Sequence, residues 1–311
     1  MTNSQWRGVG LLAIALLQSQ SQLADPELEY PAYTPKTTDL ILSRSKYMEQ
    51  LQGFWLTQCI ANWTGLITEM DKIEPPFYTD ENWDGPDERN IWGNFISTTD
   101  TVIEYYFVRN GETWAADDDT DIEYMYQHLL DVNNTSILTP EQIRDGWLHH
   151  IYSNEDAPNN ENFLWVSNET AYYLMLEGLL PPATSTPENN SHSEMIDAQL
   201  TTEIFGLFAP TRPDIALRMA NMPIQTTANG NAKWAAEFYV VMYSLASYVE
   251  NELSMKEKVF WLAKQARRVL PNGSPVAGMY DYIKGSYDAN PDKNDWESTR
   301  DAVYERYQVS G

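Results

Sequence analysis

Clusters of proline, glycine and asparagine interrupt this chain so often that they limit what it can fold into. Segments such as "EPPFYTDENWDGPDE", "PPATSTPENNSHS" and "PNGSP" cannot continue a helix or a central strand. Between these segments the apolar residues recur with a helical period, and only the short and ambiguous "TVIEYYFV" resembles a strand. The sequence therefore predicts an all-α protein built from many short helices.

The helical pattern also predicts where these helices lie and how the chain is organised. The proline-rich residues 25–42 predict an extended lead-in. Because no linker or repeat divides the rest, we expect a single domain over 43–311. The predicted helices cover about 43–68, 98–109, 120–132, 140–153, 162–178, 194–208, 212–222, 231–252, 256–269, 276–286 and 294–308.

The first 24 residues have the layout of a secretory signal peptide. Arg7 precedes the apolar run from Val9 to Leu17, and a small, polar stretch then ends at Ala24. The apolar run is too short to cross a bilayer as a mature helix. We therefore expect export to a periplasm or to the extracellular space. The alternative is a buried or amphipathic N-terminal helix in a cytoplasmic protein.

The composition excludes two classes of partner. The net charge is −25, whereas nucleic acids and anionic membrane surfaces attract basic patches. We therefore expect neither nucleic acid nor membrane as a partner. The acidic excess favours either cation binding or a surface that only keeps the protein in solution. The lone Cys59 allows no intrachain disulfide.

The stretch "AADDDTDIE" concentrates the most negative charge. Acidic residues suit the first turn of a helix, and capping accounts for part of the stretch, including Asp121. Capping accounts less well for the adjacent Asp117, Asp118 and Asp119, whose like charges repel unless a cation or solvent screens them. Hard divalent ions such as Mg²⁺ and Mn²⁺ prefer oxygen ligands of this kind. Both a helix start and half of a metal site remain open.

Two further features are candidate sites. In "GFWLTQCIANWTGLITE" small residues recur every four positions and permit close helix packing, but Glu69 ends the row where the helix dipole disfavours a carboxylate. Glu69 is therefore expected to have a partner. His149 and His150 point about 100° apart on a helix, so we interpret them as helix-end or surface residues rather than ligands of one ion.

Together these segments resemble the ADP-ribosylglycohydrolase family, relatives of the dinitrogenase reductase-activating glycohydrolase. Gly53, Gly65 and Glu69 match the family's first helix in register, while Asn62 replaces its usual aspartate. The stretch "DDDTDIEYMYQHLL" resembles the family's T-D-D-T motif. Segments resembling three further family elements follow in the same order: "NETAYYLMLEGLLPP", "IDAQLTTEIFGLFAPTRPDIALRMA" and "TTANGNAKWAAEFYVVMYSLA".

The resemblance implies a compact orthogonal multi-helix domain and a metal-dependent glycoside hydrolase that acts on ADP-ribosyl or related ribosyl conjugates. It implies that Mg²⁺ or Mn²⁺ is held by Asp117, Asp118 and Asp119. It also implies that Glu69 and Asp118 are catalytic, with Glu69 assisting the metal or a water. Residues proposed for the substrate cleft are Asp197, Gln199, Asn229 and Gly230.

One part of the family pattern is missing from the sequence. Relatives complete a two-metal site with a late D-x-D-[TN] motif, whereas this sequence ends at Gly311 after "DWESTRDAVYERYQ". We therefore expect a C-terminally incomplete chain. The alternative to the hydrolase is an inactive or truncated helical homologue that acts as a binding or structural protein.

Overall fold

A computed structural model describes residues 34, 36–65, 74–79, 117–249 and 253–310. Every regular element in these ranges is helical and none is a strand, so the all-α prediction is confirmed for them. Within the same ranges no helix is long and apolar enough to cross a membrane. The signal-peptide prediction, the helix predicted over 98–109 and Glu69 lie outside the described residues.

The helices follow one another with short connections. Two short 3₁₀ turns cover Pro158–Asn160 and Ala183–Ser185, and a π turn over Glu305–Val309 follows the last helix. The α-helices are α1 (Arg44–Gly65), α2 (Asp118–Val132), α3 (Pro140–His150), α4 (Val166–Leu176), α5 (Asp197–Thr201), α6 (Ile204–Phe208), α7 (Pro213–Thr227), α8 (Gly230–Ala246), α9 (Met255–Ala266), α10 (Pro275–Ala289) and α11 (Trp296–Tyr304).

The contacts divide the chain into two compact units. The first unit comprises Met1–Tyr47 and Asp118–Asp281, and the second comprises Met48–Asp117 and Tyr282–Gly311. The single domain expected over 43–311 stays a prediction.

Helix α8 lies at the centre of the first unit, where α5, α6, α7 and α9 pack against it. Gly206 on α6 makes the closest of these approaches. A Cβ atom at this position would lie 2.7 Å from the Cβ of Tyr243 and 2.8 Å from the backbone nitrogen of Ser244. Only glycine lets the two helix backbones come so near.

An aromatic cluster joins three helices of the same core. Tyr126 on α2, Trp147 on α3 and Phe205 on α6 are almost completely buried. The Trp147 Nε1–H donates to the Tyr126 hydroxyl at 3.2 Å, and the rings of Tyr126 and Phe205 lie 5.5 Å apart. Burial raises the pKa of the Tyr126 phenol to about 12. The cluster therefore combines a large apolar area with a satisfied polar pair.

Local capping determines where several helices start. Thr139 and Gln142 form a capping box at the start of α3, with proline in the first turn. Ser254 and Glu257 do the same for α9. Hydrogen bonding to Ser254 lowers the pKa of the Glu257 carboxyl.

The single helix predicted over 194–208 is wrong, because the chain breaks there into α5 and α6. The carboxylate of Glu123, fully buried on α2, accepts a hydrogen bond from the Ile204 backbone nitrogen at 3.1 Å. That nitrogen begins α6, which has no side-chain cap of its own. A carboxylate from another helix thus satisfies the new helix start, which helical periodicity cannot reveal.

In the second unit, Arg300 on α11 contacts the short segment 74–79. Its guanidinium lies 5.2 Å from the ring centre of Phe77 and 5.1 Å from that of Trp296, and it donates to the Tyr78 carbonyl. Phe77 also packs edge-on against Tyr304, with ring centres 4.9 Å apart. Cation–π contacts therefore hold this segment on α11.

Replacing Tyr126 by phenylalanine tests the polar pair in the core. The Tyr126→Phe variant leaves the buried indole N–H of Trp147 without its acceptor, so we expect the free energy of unfolding to fall by about 1–2 kcal/mol. Urea unfolding followed by circular dichroism measures this. The control Tyr152→Phe changes an exposed tyrosine of the same unit and should change the free energy of unfolding by less than about 0.5 kcal/mol. Equal stability of both variants would contradict the role of the hydroxyl.

Candidate functional site

The acidic cluster lies where α2 begins. Helix α2 starts at Asp118, and Asp118, Asp119 and Asp121 occupy its first turn. Asp118 and Asp119 are half-buried, whereas Asp121 is exposed. The helix dipole favours all three charges at this end. The helix-start interpretation therefore holds for this stretch, and the metal-site interpretation needs separate support.

Asp117 accepts a hydrogen bond from Asn62, which lies in the segment that resembles the family's first helix. The Asn62 side-chain amide on α1 donates to Asp117 Oδ2 at 2.9 Å, and both residues belong to the second unit. These residues are 55 positions apart in the sequence. The structure thus brings together two of the motifs that carry the resemblance. A neutral amide donor partly balances the Asp117 charge, which an aspartate at position 62 would not do.

The donor chemistry of this stretch suits a hard divalent cation, since Asp117, Asp118 and Asp119 offer only carboxylate oxygens. Among the described residues, however, no group of three histidine, cysteine, aspartate or glutamate side chains converges well enough to hold a metal ion. Glu69 lies outside those residues. The metal assignment therefore stays a prediction.

Asp197 caps a neighbouring helix. It is buried at the start of α5, and its Oδ1 accepts from the Asn168 backbone nitrogen in the first turn of α4 at 3.1 Å. Trp165, the N-cap residue of α4, provides no side-chain hydrogen bond. The Asn168 nitrogen also donates to the Trp165 carbonyl at 2.9 Å, so the Asp197 carboxylate adds a second, charged acceptor at this helix start.

Asn229 and Gly230 also contribute to a helix start. Asn229 is the N-cap of α8, and its side chain accepts from the Gly230 nitrogen at 2.7 Å. Gly230 has φ +53°, and a Cβ atom there would lie 2.9 Å from the carboxyl carbon of Glu194. Both Glu194 oxygens accept from the Asn231 nitrogen, at 3.1 and 3.2 Å. Glycine is thus required where the Glu194 carboxylate approaches the backbone.

The last residue proposed for the cleft, Gln199, lies half-buried on α5. The substrate role of Asp197, Gln199, Asn229 and Gly230 stays a prediction, but three of the four have a structural function in helix capping. The Asp197 cap is not apparent in the sequence because it joins residues 29 positions apart, and the need for glycine at 230 depends on a positive φ, whereas the Asn229 cap is local.

A cavity of about 320 Å³ opens beside the first turn of α2 in the first unit. Its lining includes the carboxylates of Asp118, Asp121 and Glu161 and the imidazole of His150. Buried Ile122, Met125 and Leu164 line its inner part, and exposed Tyr152 and Phe163 lie at its mouth. Sequence reasoning misses this site, since "NEDAPNNEN" indicates only a helix breaker. The aromatic residues beside that breaker are the available signal.

Three histidines meet next to this cavity. The rings of His149 and His150 are 4.7 Å apart, and those of His128 and His150 are 5.1 Å apart. The predicted helix-end position is confirmed, because His149 and His150 lie in the last turn of α3. Partial burial and then the neighbouring imidazoles lower the pKa of His150.

Comparison of the chain with protein-family models, with curated proteins and with solved structures gives no match. The residues and their geometry therefore carry the functional argument alone.

Removing the Asp197 carboxylate distinguishes a structural role from a purely substrate-binding one. The Asp197→Ala variant loses the α4 cap, so we expect the free energy of unfolding to fall by about 1–2 kcal/mol. The control Asp131→Ala removes an exposed aspartate near the end of α2 and should change stability by less than about 0.5 kcal/mol. Equal unfolding midpoints in urea would show that Asp197 does not stabilise the fold.

The His150 imidazole predicts a pH dependence of stability. Its pKa in the folded protein lies below the unfolded value of about 6.5, so the unfolded state binds more protons as the pH falls. The free energy of unfolding should therefore decrease as the pH is lowered through about 6.5.

The variant His150→Gln should weaken this dependence, measured as the difference in urea unfolding between about pH 7.5 and about pH 5.5. The control His192→Gln changes the histidine outside the cluster. If His150→Gln kept the full pH dependence of the wild type, the assignment to His150 would be wrong.

Proposed function

We propose that this protein is a metal-dependent glycoside hydrolase of the ADP-ribosylglycohydrolase type, acting on ADP-ribosyl or related ribosyl conjugates. The observation that supports the proposal best is the hydrogen bond from Asn62 to Asp117, because it joins two motifs of the resemblance across a long stretch of chain. The half-buried position of Asp118 and Asp119 at a helix start gives these carboxylates a fixed backbone frame.

In this proposal Asp117, Asp118 and Asp119 hold Mg²⁺ or Mn²⁺ through their carboxylate oxygens. Bound ions would supply positive charge that orients the ribose and a water molecule. Glu69 would hold either the ion or that water. The carboxylates around the site would stabilise the positive charge that develops on the sugar as the glycosidic bond breaks.

The second candidate is a non-catalytic binding or structural protein with the same helices. Two observations favour it. Asn62 gives Asp117 a neutral hydrogen-bond donor in place of a second carboxylate, and Asp197, Asn229 and Gly230 act in helix capping. In this case the acidic stretch would serve only to start α2, and no turnover would be found.

Metal titration followed by an activity assay separates the two candidates. Isothermal titration calorimetry with MnCl₂ and MgCl₂ should show binding at millimolar or lower concentration. The double variant Asp118→Asn/Asp119→Asn should weaken binding by at least about tenfold, because it removes two ligand charges. Asp121→Asn, a matched change in the same helical turn, should leave the affinity within about twofold.

The substitution Asn62→Asp restores the carboxylate that is usual in the family. A true metal site should then bind Mn²⁺ more tightly and lose stability without metal, because the introduced carboxylate and Asp117 would repel each other. Release of ADP-ribose from an ADP-ribosylated peptide, present with Mn²⁺ and absent in the double variant, would support the hydrolase. Metal binding without turnover would favour the second candidate, and no binding at millimolar metal would exclude the hydrolase.

A further inference from the structure

The cavity beside α2 combines an apolar interior with a negatively charged and aromatic mouth. Ile122, Met125 and Leu164 are buried and form its inner lining. Phe163 is 69% exposed and Tyr152 is 65% exposed, and both residues line the same cavity. Aromatic rings at the edge of an apolar cavity provide a surface that a bound ligand can cover.

The charges that line the cavity all have one sign. Asp118, Asp121 and Glu161 provide carboxylates, and the described lining includes no lysine or arginine. His150 does not balance them at neutral pH, because its pKa is lowered. A ligand with a positive head therefore complements the mouth, whereas an anion would be repelled.

The backbone conformation of Phe163, which lines the mouth of the cavity, is energetically unfavourable for a bulky residue. Phe163 has φ +59° and Asn160 has φ +59°, in the left-handed region that a bulky residue such as phenylalanine rarely adopts. Two hydrogen bonds fix the loop in this form. The Phe163 nitrogen donates to Glu161 Oε1 at 2.9 Å, and the Leu164 nitrogen donates to Asn162 Oδ1 at 3.1 Å. The Glu161 carboxylate is thus held against the backbone of Phe163.

We propose that this cavity binds a small organic cation of the alkylammonium class. Its head lies among the carboxylates and the rings of Phe163 and Tyr152, and its alkyl chain enters the interior lined by Ile122, Met125 and Leu164. Aromatic faces attract an ammonium head, and the desolvated alkyl chain adds hydrophobic stabilisation. A volume of about 320 Å³ accommodates a ligand of this size.

A bare metal ion suits the cavity less well. Divalent cations require several converging oxygen ligands, and the described residues do not bring three such side chains together. An alkylammonium ion needs only an acidic and aromatic surround. Asp118 belongs to both proposals, but this one does not rest on the hydrolase function, since Glu161, Phe163 and the apolar interior have no part in that function.

The test uses matched cationic and neutral probes in buffer with EDTA, so that metal binding cannot contribute. Choline and 3,3-dimethyl-1-butanol have nearly the same shape but differ in charge. By calorimetry and ligand-observed NMR, choline should bind at least about tenfold more tightly than the alcohol. Butyltrimethylammonium should bind more tightly than tetramethylammonium, because its chain reaches the apolar interior.

Two variants locate the binding. Glu161→Gln removes one charge, and Phe163→Asn removes the ring while tolerating the positive φ. Each should weaken choline binding by about fivefold or more. The controls Glu188→Gln and Tyr124→Ala change an exposed charge and an exposed ring that do not line the cavity, and they should bind choline as the wild type does.

Circular dichroism checks that each variant is folded. If one of the two site variants does not fold, the choline affinity of the other is enough to test the proposal. The proposal is overturned if choline and the alcohol bind equally, if neither binds below about 10 mM, or if the controls weaken binding as much as the site variants.

Discussion

Carboxylates that cap the helices of other segments are the interaction on which the first unit depends. Glu123 on α2 caps α6, Asp197 on α5 caps α4, and Glu194 caps α8. A helix start leaves backbone N–H groups without partners, and a buried carboxylate needs donors. The caps from Glu123 and Asp197 satisfy both requirements at once, whereas the Glu194 side chain is exposed and serves only the helix start. Helices too short to be stable alone can therefore be packed closely around α8.

These caps change how the acidic composition is understood. A net charge of −25 suggests either cation binding or solubility, yet part of the negative charge stabilises helix starts inside the protein. Asp197 is an example. Its place in a segment that resembles the family suggests substrate contact, but its carboxylate accepts a hydrogen bond from the first turn of α4. The Asp117–Asp119 stretch differs, because Asp117 is hydrogen-bonded to Asn62 from a distant motif and Asp118 lines a cavity.

Helix α2 connects the core to the cavity. One of its faces carries Glu123 and Tyr126 into the core, and the other presents Asp118, Ile122 and Met125 to the cavity. Because both sets of residues belong to the same helix, the Glu123 cap and the Tyr126–Trp147 pair also fix where the backbone of Asp118 and Asp121 lies. The cavity wall on this side is therefore built on the most buried part of the unit.

The sequence by itself determined the helical class and most helix positions, because helical periodicity and breaker residues act over only a few positions. The capping signals of α3 show how local this information is, since Thr139 and Gln142 lie three residues apart. Only the tertiary structure decided the break between α5 and α6, the role of Asp197 and the cavity with Phe163 at its mouth. Each of these depends on residues far apart in the sequence, or on a backbone conformation that packing imposes.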